Sequence, residues 1–260
     1  MPIFAHTKGE DPADWQLLID HLSQTAELAG GFQNRMERHH PTKSPINLAY
    51  VAGLLHDIGK YSQEFQARLR GDSSRVDHST AGADLASKTY GSSDGGSVII
   101  GKILSYIITG HHGGLLDYDG AGSGLKYRLH KSSRGDIPDY SAYHSDFENI
   151  SLPDVSDFKL KRKHSEGFEG FMISFYIRML YSCVVDADRL DTEHFSDISK
   201  HSLRYAPQPS MEEMRDAYLK YRIDKKYDCA DDNIVNKYRN SIYENCIAKS
   251  SLPTGLFRLA

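Results

Sequence analysis

The stretch Ser97-Val98-Ile99-Ile100-Gly101-Lys102-Ile103-Leu104-Ser105-Tyr106-Ile107-Ile108-Thr109 decides the fold class. Its Val-Ile-Ile opening suits a strand, since β-branched side chains pack well on pleated surfaces. The apolar run continues to Thr109, however, and that length favours a helix, almost wholly apolar and therefore buried. Ser79 to Tyr90 precedes it as another helix. From Pro12 to Met36, Trp15, Leu18, Leu22, Ala26 and Ala29 recur at three- and four-residue spacing. Pro45 opens a Leu- and Ala-rich segment, Ile46 to His56. Gly59 interrupts it, and Ser62 to Leu69 resumes before Gly71. Downstream, Phe171, Phe175, Met179 and Cys183 form an apolar stripe along Phe168 to Leu190. After Pro207 and Pro209, Met211 to Tyr227 and Asp231 to Ala248 read as two more helices. Ile234, Tyr238, Ile242 and Cys246 share one face of the last. No alternating strand pattern of useful length is present, so the fold class is all-α.

Residues 117–167 break this pattern. They are rich in Gly, Ser, Asp and Lys and include Pro138 and Pro153. At about 50 residues they are too long for an idle connection in a compact domain, and they read as a functional loop or mobile insertion. The whole chain has 260 residues, 39% of them hydrophobic and 25% charged, with a formal net charge of −4. That is one large or two small globular domains and excludes wholesale disorder. The N-terminus lacks a basic region followed by an apolar core, so no secretory signal is read there. No run approaches the roughly 18 apolar residues that span a bilayer. Three widely spaced cysteines (Cys183, Cys229, Cys246) make neither a disulfide framework nor a zinc site, which points to a reducing, cytoplasmic setting. The mild negative charge leaves any nucleic-acid role to local features. What stands out is 13 histidines.

Several of them sit at helix ends. In Leu54-Leu55-His56-Asp57-Ile58-Gly59-Lys60, adjacent His and Asp lie about 100° apart on a regular helix. A helix end distorted at Gly59 lets both turn toward one point. There the imidazole offers a nitrogen, and the carboxylate offers two oxygen faces able to bridge two cations. His111-His112 follows the apolar helix and precedes Gly113-Gly114. His78 begins a helix, and His21 lies beside Leu22 on the N-terminal one. Asp186 and Asp188 lie near a helix C-terminus, where the macrodipole disfavours acids unless a cation compensates. Side chains from five apolar helices can thus converge in a bundle core as a His/Asp metal site. This donor set suits iron, manganese, nickel, cobalt or zinc better than calcium.

The order His21, His56-Asp57, His78, His111-His112 and a late Asp resembles that of HD-superfamily metal phosphohydrolases. Leu55-His56-Asp57-Ile58-Gly59-Lys60 with Phe65-Gln66 and Leu69, His78-Ser79, and Gly110-His111-His112-Gly113-Gly114-Leu115 resemble more narrowly one member family. That family is the HD nuclease domain of the type I CRISPR-associated helicase-nuclease. Val185-Asp186-Ala187-Asp188-Arg189-Leu190-Asp191-Thr192-Glu193 is similar to its closing motif. The resemblance spans roughly residues 1–205.

It implies an HD-domain helical bundle with a long polar insertion, then a helical linker over 206–249. It also implies that 250–260 is the start of a missing helicase domain, since Gly255-Leu256-Phe257-Arg258-Leu259-Ala260 is similar to the strand before that domain's phosphate-binding loop. The Gly96 to Lys102 stretch fails as such a loop, because Ile103 stands where Ser or Thr is needed. Two divalent metals are implied: manganese, iron, nickel or cobalt, with magnesium admitted. One would take His21, His56, Asp57 and the late Asp, assigned to Asp188 with Asp186 open. The other would take Asp57, His78, His111 and His112, with Asp57 bridging. Asp57 and Lys60 are the implied catalytic residues, Lys60 close enough to contact a phosphate. The implied activity is two-metal hydrolysis of single-stranded DNA in antiviral defence. The implied partners are that DNA, a helicase domain in cis or in trans, and a CRISPR RNA-guided effector complex, with no membrane. Lys159-Leu160-Lys161-Arg162-Lys163-His164 is a candidate backbone contact. Two other readings compete: an HD phosphohydrolase acting on nucleotides or cyclic dinucleotides, and a metal-stabilised adaptor without turnover.

Overall fold

The Ser97–Thr109 run does form a helix. In the computed structural model of the chain, α5 spans Gly95–Gly110, and its Ile100, Ile103, Leu104, Ile107 and Ile108 are buried. The structure describes residues 2–38, 46–91, 95–120, 122–148, 150, 152–154, 166–225 and 233–253. The basic run 159–164, Cys229 and the segment 254–260 lie outside them.

Around α5 stand α1 (Leu18–Met36), α2 (Leu48–Leu55), α3 (Gln63–Leu69) and α4 (Ser79–Tyr90). They are followed by α6 (Leu125–Ser133), α7 (Tyr143–Asp146), α8 (Glu166–Ser196) and α9 (Ile198–Leu203). Packing of α1 on α2 and α8, and of α4 on α5, builds one core from Leu18, Leu22, Leu48, Leu54, Leu55, Leu104, Ile108, Leu180 and Val184. Local chemistry sets the ends. Asn47 accepts from the Tyr50 amide to start α2, and Ser62 accepts from the Phe65 amide to start α3. The all-α reading holds.

The structure departs from the sequence reading in four places. A two-stranded antiparallel hairpin, β1 (Phe4–His6) and β2 (Gln16–Leu17), precedes α1 where a helix from Pro12 is expected. Strands of three and two residues are too short to show a period. Within 117–167, α6 and α7 are ordered elements, not loop.

On α8 the expected stripe is misplaced. Phe171 and Phe175 are exposed, and the buried face runs through Leu180, Cys183, Val184, Ala187 and Asp191. Finally, Gly170–Ser196 of α8 is long and apolar enough, by length and composition, to cross a bilayer, at mean hydropathy 1.2. Leu180, Val184 and Ala187 of this stretch face the core, while Phe171, Met172 and Phe175 at its start are exposed, so burial accounts for only part of that hydropathy.

The chain divides into two compact units, Met1–Arg204 and Tyr205–Ala260. The second contains α10 (Met211–Asp224) and α11 (Ile234–Lys249). A Ser210/Glu213 capping box starts α10. Buried Arg222 of α10 reaches Asn240 Oδ1 and stacks over Tyr243 of α11.

Candidate metal centre

Five helices deliver the His and Asp side chains to one point. His21 lies in the first turn of α1, and His56 caps the C-terminus of α2. Asp57 follows at the head of a 3-10 turn, Ile58–Tyr61. His78 caps the N-terminus of α4, His111 and His112 directly follow α5, and Asp188 comes from α8.

Two glycines permit this convergence. A Cβ on Gly59 would run into the backbone of His78, and one on Gly82 would run into the carbonyl of Leu55. Gly59 therefore does more than interrupt a helix, because its missing side chain lets the His78 backbone lie against the His-Asp turn.

Asp57 is the hub. Its Oδ2 lies 3.5 Å from His21 Nε2 and 3.3 Å from His56 Nε2. Its Oδ1 lies 3.4 Å from both His78 Nε2 and His111 Nε2. His112 Nε2 is 2.7 Å from His78 Nε2. Asp188 Oδ1 lies 3.5 Å from His21 Nε2 and 3.8 Å from His56 Nε2. Ligand atoms of Asp57, His78, His111 and His112 all fall within 4.8 Å of one another, as do those of His21, His56 and Asp57. The structure thus brings together every candidate ligand, and it places Asp188 in the cluster while Asp186 is exposed.

The donor set fits a cation. Asp57 Oδ1 and His111 Nε2 are buried without a hydrogen-bond partner, a costly state unless something fills the space between them. The outer ring nitrogens are already committed. His56 Nδ1 pairs with the Gly53 carbonyl at 2.7 Å, His111 Nδ1 with Ile108 at 2.6 Å, and His78 Nδ1 with Val76 at 3.4 Å. Commitment of Nδ1 leaves Nε2 as the nitrogen each ring turns inward, the one a metal would take.

Electrostatics divide the cluster into two halves. Burial and the neighbouring His111 push His112 down to about 4, and burial lowers His78 as well. Both are neutral at pH 7 and ready to ligate. At His56, burial pulls down but the Asp57 and Asp188 carboxylates outweigh it and raise the imidazole to about 10. Burial works against the charge of Asp57, yet Lys60 and His56 hold its carboxyl well below the usual range.

Without metal, therefore, His56 keeps a proton that a cation must displace. Manganese uptake at pH 7 is expected to release about one proton from this half of the site. Calorimetric heats in buffers of different ionisation enthalpy measure it, and buffer-independent heats contradict it. The same pair stabilises the metal-free fold. Because the folded value of about 10 lies above the ordinary 6.5, this contribution is complete below pH 6.5 and is lost as pH rises through 10. A urea midpoint in chelator that does not fall over that window contradicts it.

Lys60 does not project toward a phosphate. It is buried, with Nζ 2.6 Å from Asp57 Oδ2, 3.3 Å from the Ala5 carbonyl and 3.2 Å from His6 Nε2. Its aliphatic stem cannot leave this pocket cheaply, so the geometry gives it the task of holding Asp57. The sequence reading also missed three neighbours. His6 from β1 packs against the His21 ring at 4.8 Å, and burial pushes it down to about 3. Gln16 from β2 and Asp191 from α8 meet at the far side of His21. Asp191 lies inside the Val185–Glu193 motif, one turn past Asp188, and that spacing was the available signal. The hairpin residues left none.

Residues 18–139 match the HD domain family. The matched segment contains His21, His56, Asp57, His78, His111 and His112, all but Asp188 of the cluster. No curated protein matches the chain. Fold, site and family match together support the HD superfamily of metal-dependent hydrolases, whose members bind divalent metals.

Proposed function

We propose that the protein hydrolyses phosphodiester bonds of single-stranded DNA with two divalent metals held in the His/Asp cluster. In this reading it works in the cytoplasm beside a helicase domain, in cis or in trans, and a CRISPR RNA-guided effector complex. The observation that carries it is the sharing of Asp57: one carboxylate oxygen faces His21 and His56, the other His78 and His111. His21, His56, Asp57 and Asp188 would hold one metal, and Asp57, His78, His111 and His112 the other. Manganese, iron, nickel and cobalt suit these ligands, with magnesium admitted. When bound, such ions supply a Lewis acid and a water acidified for attack on phosphorus.

The chain's own residues do the rest. Fully buried His21 and His56, with nearly buried His111, form a back wall that keeps bulk water from that side. Exposed His112 and part-exposed His78 and Asp188 form the open rim, which is where a backbone phosphate can approach. Lys60 fixes the angle of Asp57 from behind. Within Leu125–Arg134, Lys126, Arg128, His130, Lys131 and Arg134 are basic and no residue is acidic. This α6 segment packs on α4 and α5, the helices carrying His78 and His111, and Arg128 donates to Ser79 Oγ at 3.0 Å. Lys126, Lys131 and Arg134 pair with Asp119, Asp77 and Asp136. A strand's phosphates would replace these carboxylates as partners, and several such exchanges along one helix favour a polyanion over a mononucleotide.

The test is hydrolysis of labelled single strand, duplex, mononucleotides and cyclic dinucleotides with each divalent metal. The expected result is metal-dependent shortening of the single strand at least tenfold faster than of duplex. Turnover of small nucleotides alone would assign a nucleotide phosphohydrolase, and no turnover of any of them would assign an adaptor.

A further inference from the structure

His21 is held differently from the other buried imidazoles, and the difference points to a residue outside the ligand set. His56, His78 and His111 each direct Nδ1 to a backbone carbonyl one turn away or less. His21, within α1, directs Nδ1 to the Asp191 carboxylate, 2.6 Å from Oδ2. Asp191 is itself buried, and the same oxygen accepts from Gln16 Nε2 at 2.8 Å. Asp188 and Asp191, three residues apart on one face of α8, thus address the two nitrogens of one ring: Asp188 Oδ1 on the Nε2 side at 3.5 Å, Asp191 Oδ2 on Nδ1.

We infer that Asp191, steadied by Gln16, is a positioning residue that fixes the Nδ1–H form of His21 and so strengthens its Nε2 as a metal ligand. This rests on the metal-centre reading above. A carboxylate behind a ligating imidazole sets its tautomer and ring angle and raises its basicity. A backbone carbonyl sets the tautomer but adds less charge. The half of the centre containing His21 therefore depends on Asp191, and the half containing His78, His111 and His112 does not. Burial argues against a direct ligand role, because Asp191 sits behind the ring, and no metal-holding group among the described residues includes it.

The test is calorimetric manganese titration of the full chain as wild type, Asp191→Ala and Asp191→Asn, with melting curves alongside. Asp191→Ala is expected to weaken one binding event by about 10–100-fold and to leave the other within about threefold. Asp191→Asn, which keeps a neutral acceptor oxygen for Nδ1–H and for Gln16, is expected to restore the tautomer and to recover only the part of that loss that does not depend on the carboxylate's charge. Ring 15N shifts in the metal-free chain read the tautomer directly, with His21 in the Nδ1–H form in the wild type and Asp191→Asn, and mixed in Asp191→Ala. Equal affinities in all three proteins, or equal weakening of both events, would overturn the inference while leaving the metal centre standing. A wild type that takes up no manganese would overturn the metal reading and the inference with it. If Asp191→Ala does not fold, Asp191→Asn decides, because an amide that weakens both events alike also overturns it.

Discussion

Asp57→Asn is expected to lower manganese-dependent cleavage of single-stranded DNA by on the order of 10³-fold or more, because it removes the one group that both halves of the centre share. The amide has a single acceptor oxygen, so it can serve His21 and His56 or His78 and His111, but not both pairs. A second consequence follows from Lys60. The ammonium is buried 2.6 Å from Asp57 Oδ2, and taking away the carboxylate leaves a cation with the Ala5 carbonyl, His6 and the Phe65 ring but no counter-charge. Breaking a buried pair from one side costs about 3–5 kcal/mol. A lower melting temperature should therefore accompany the lost activity.

Lys60→Met in the same chain separates the two effects. The double variant is expected to regain most of the stability, since an apolar replacement for a buried pair is often neutral, and to recover none of the activity. Circular dichroism melts and a gel assay of strand cleavage check both. A stable, active Asp57→Asn protein would remove Asp57 from the mechanism.

Gly82→Ala is expected to be the most damaging single-methyl change in the bundle. The added Cβ would meet the Leu55 carbonyl, which is backbone and cannot swing aside as a side chain can. The helix α4 must then lift off the end of α2. Overpacking of this kind costs about 1–3 kcal/mol, and the displacement carries His78 away from Asp57 Oδ1. Gly59→Ala presses on His78 itself and should act in the same direction. Urea midpoints measure the stability loss. Manganese titration measures the second effect, with the His78 half weakened and the His21 half less so. A Gly82→Ala protein with unchanged midpoint and unchanged binding would mean that α4 is not seated on Leu55 as described.

Most candidate ligands were legible in the sequence because they lie beside a local signal: a helix end at His56-Asp57, a start at His78, a stop after the Ser97–Thr109 run. Asp188 is the exception, since α8 runs on to Ser196 and the expected helix end beside Asp186 and Asp188 is not there. Such signals report position along the chain. They say less about which face of a helix is buried, and the α8 stripe shows why. Phe171 and Phe175 are among its bulkiest apolar side chains, yet the helix turns Leu180, Val184 and Ala187 inward because α1 and α2 lie there. The choice of Asp188 over Asp186 follows from the same rotation.

Interactions between distant segments were illegible for a simpler reason. His6, Gln16 and Asp191 are separated by up to 185 residues, and the hairpin that carries the first two has no period to read. Lys60 shows the limit of carrying a role from a resemblance, since its placement was expected to be near phosphate and its packing ties it to Asp57. The polar composition of 117–167 concealed α6 and its packing against α4 and α5.

In the proposed centre, the His/Asp cluster holds metal through the two oxygens of Asp57. Anomalous difference maps recorded at the manganese absorption edge, from crystals grown with manganese, test it most directly. One peak is expected bounded by Asp57 Oδ1, His78, His111 and His112, and another by Asp57 Oδ2, His21, His56 and Asp188. Crystals that show no anomalous peak within the cluster at saturating manganese would contradict it.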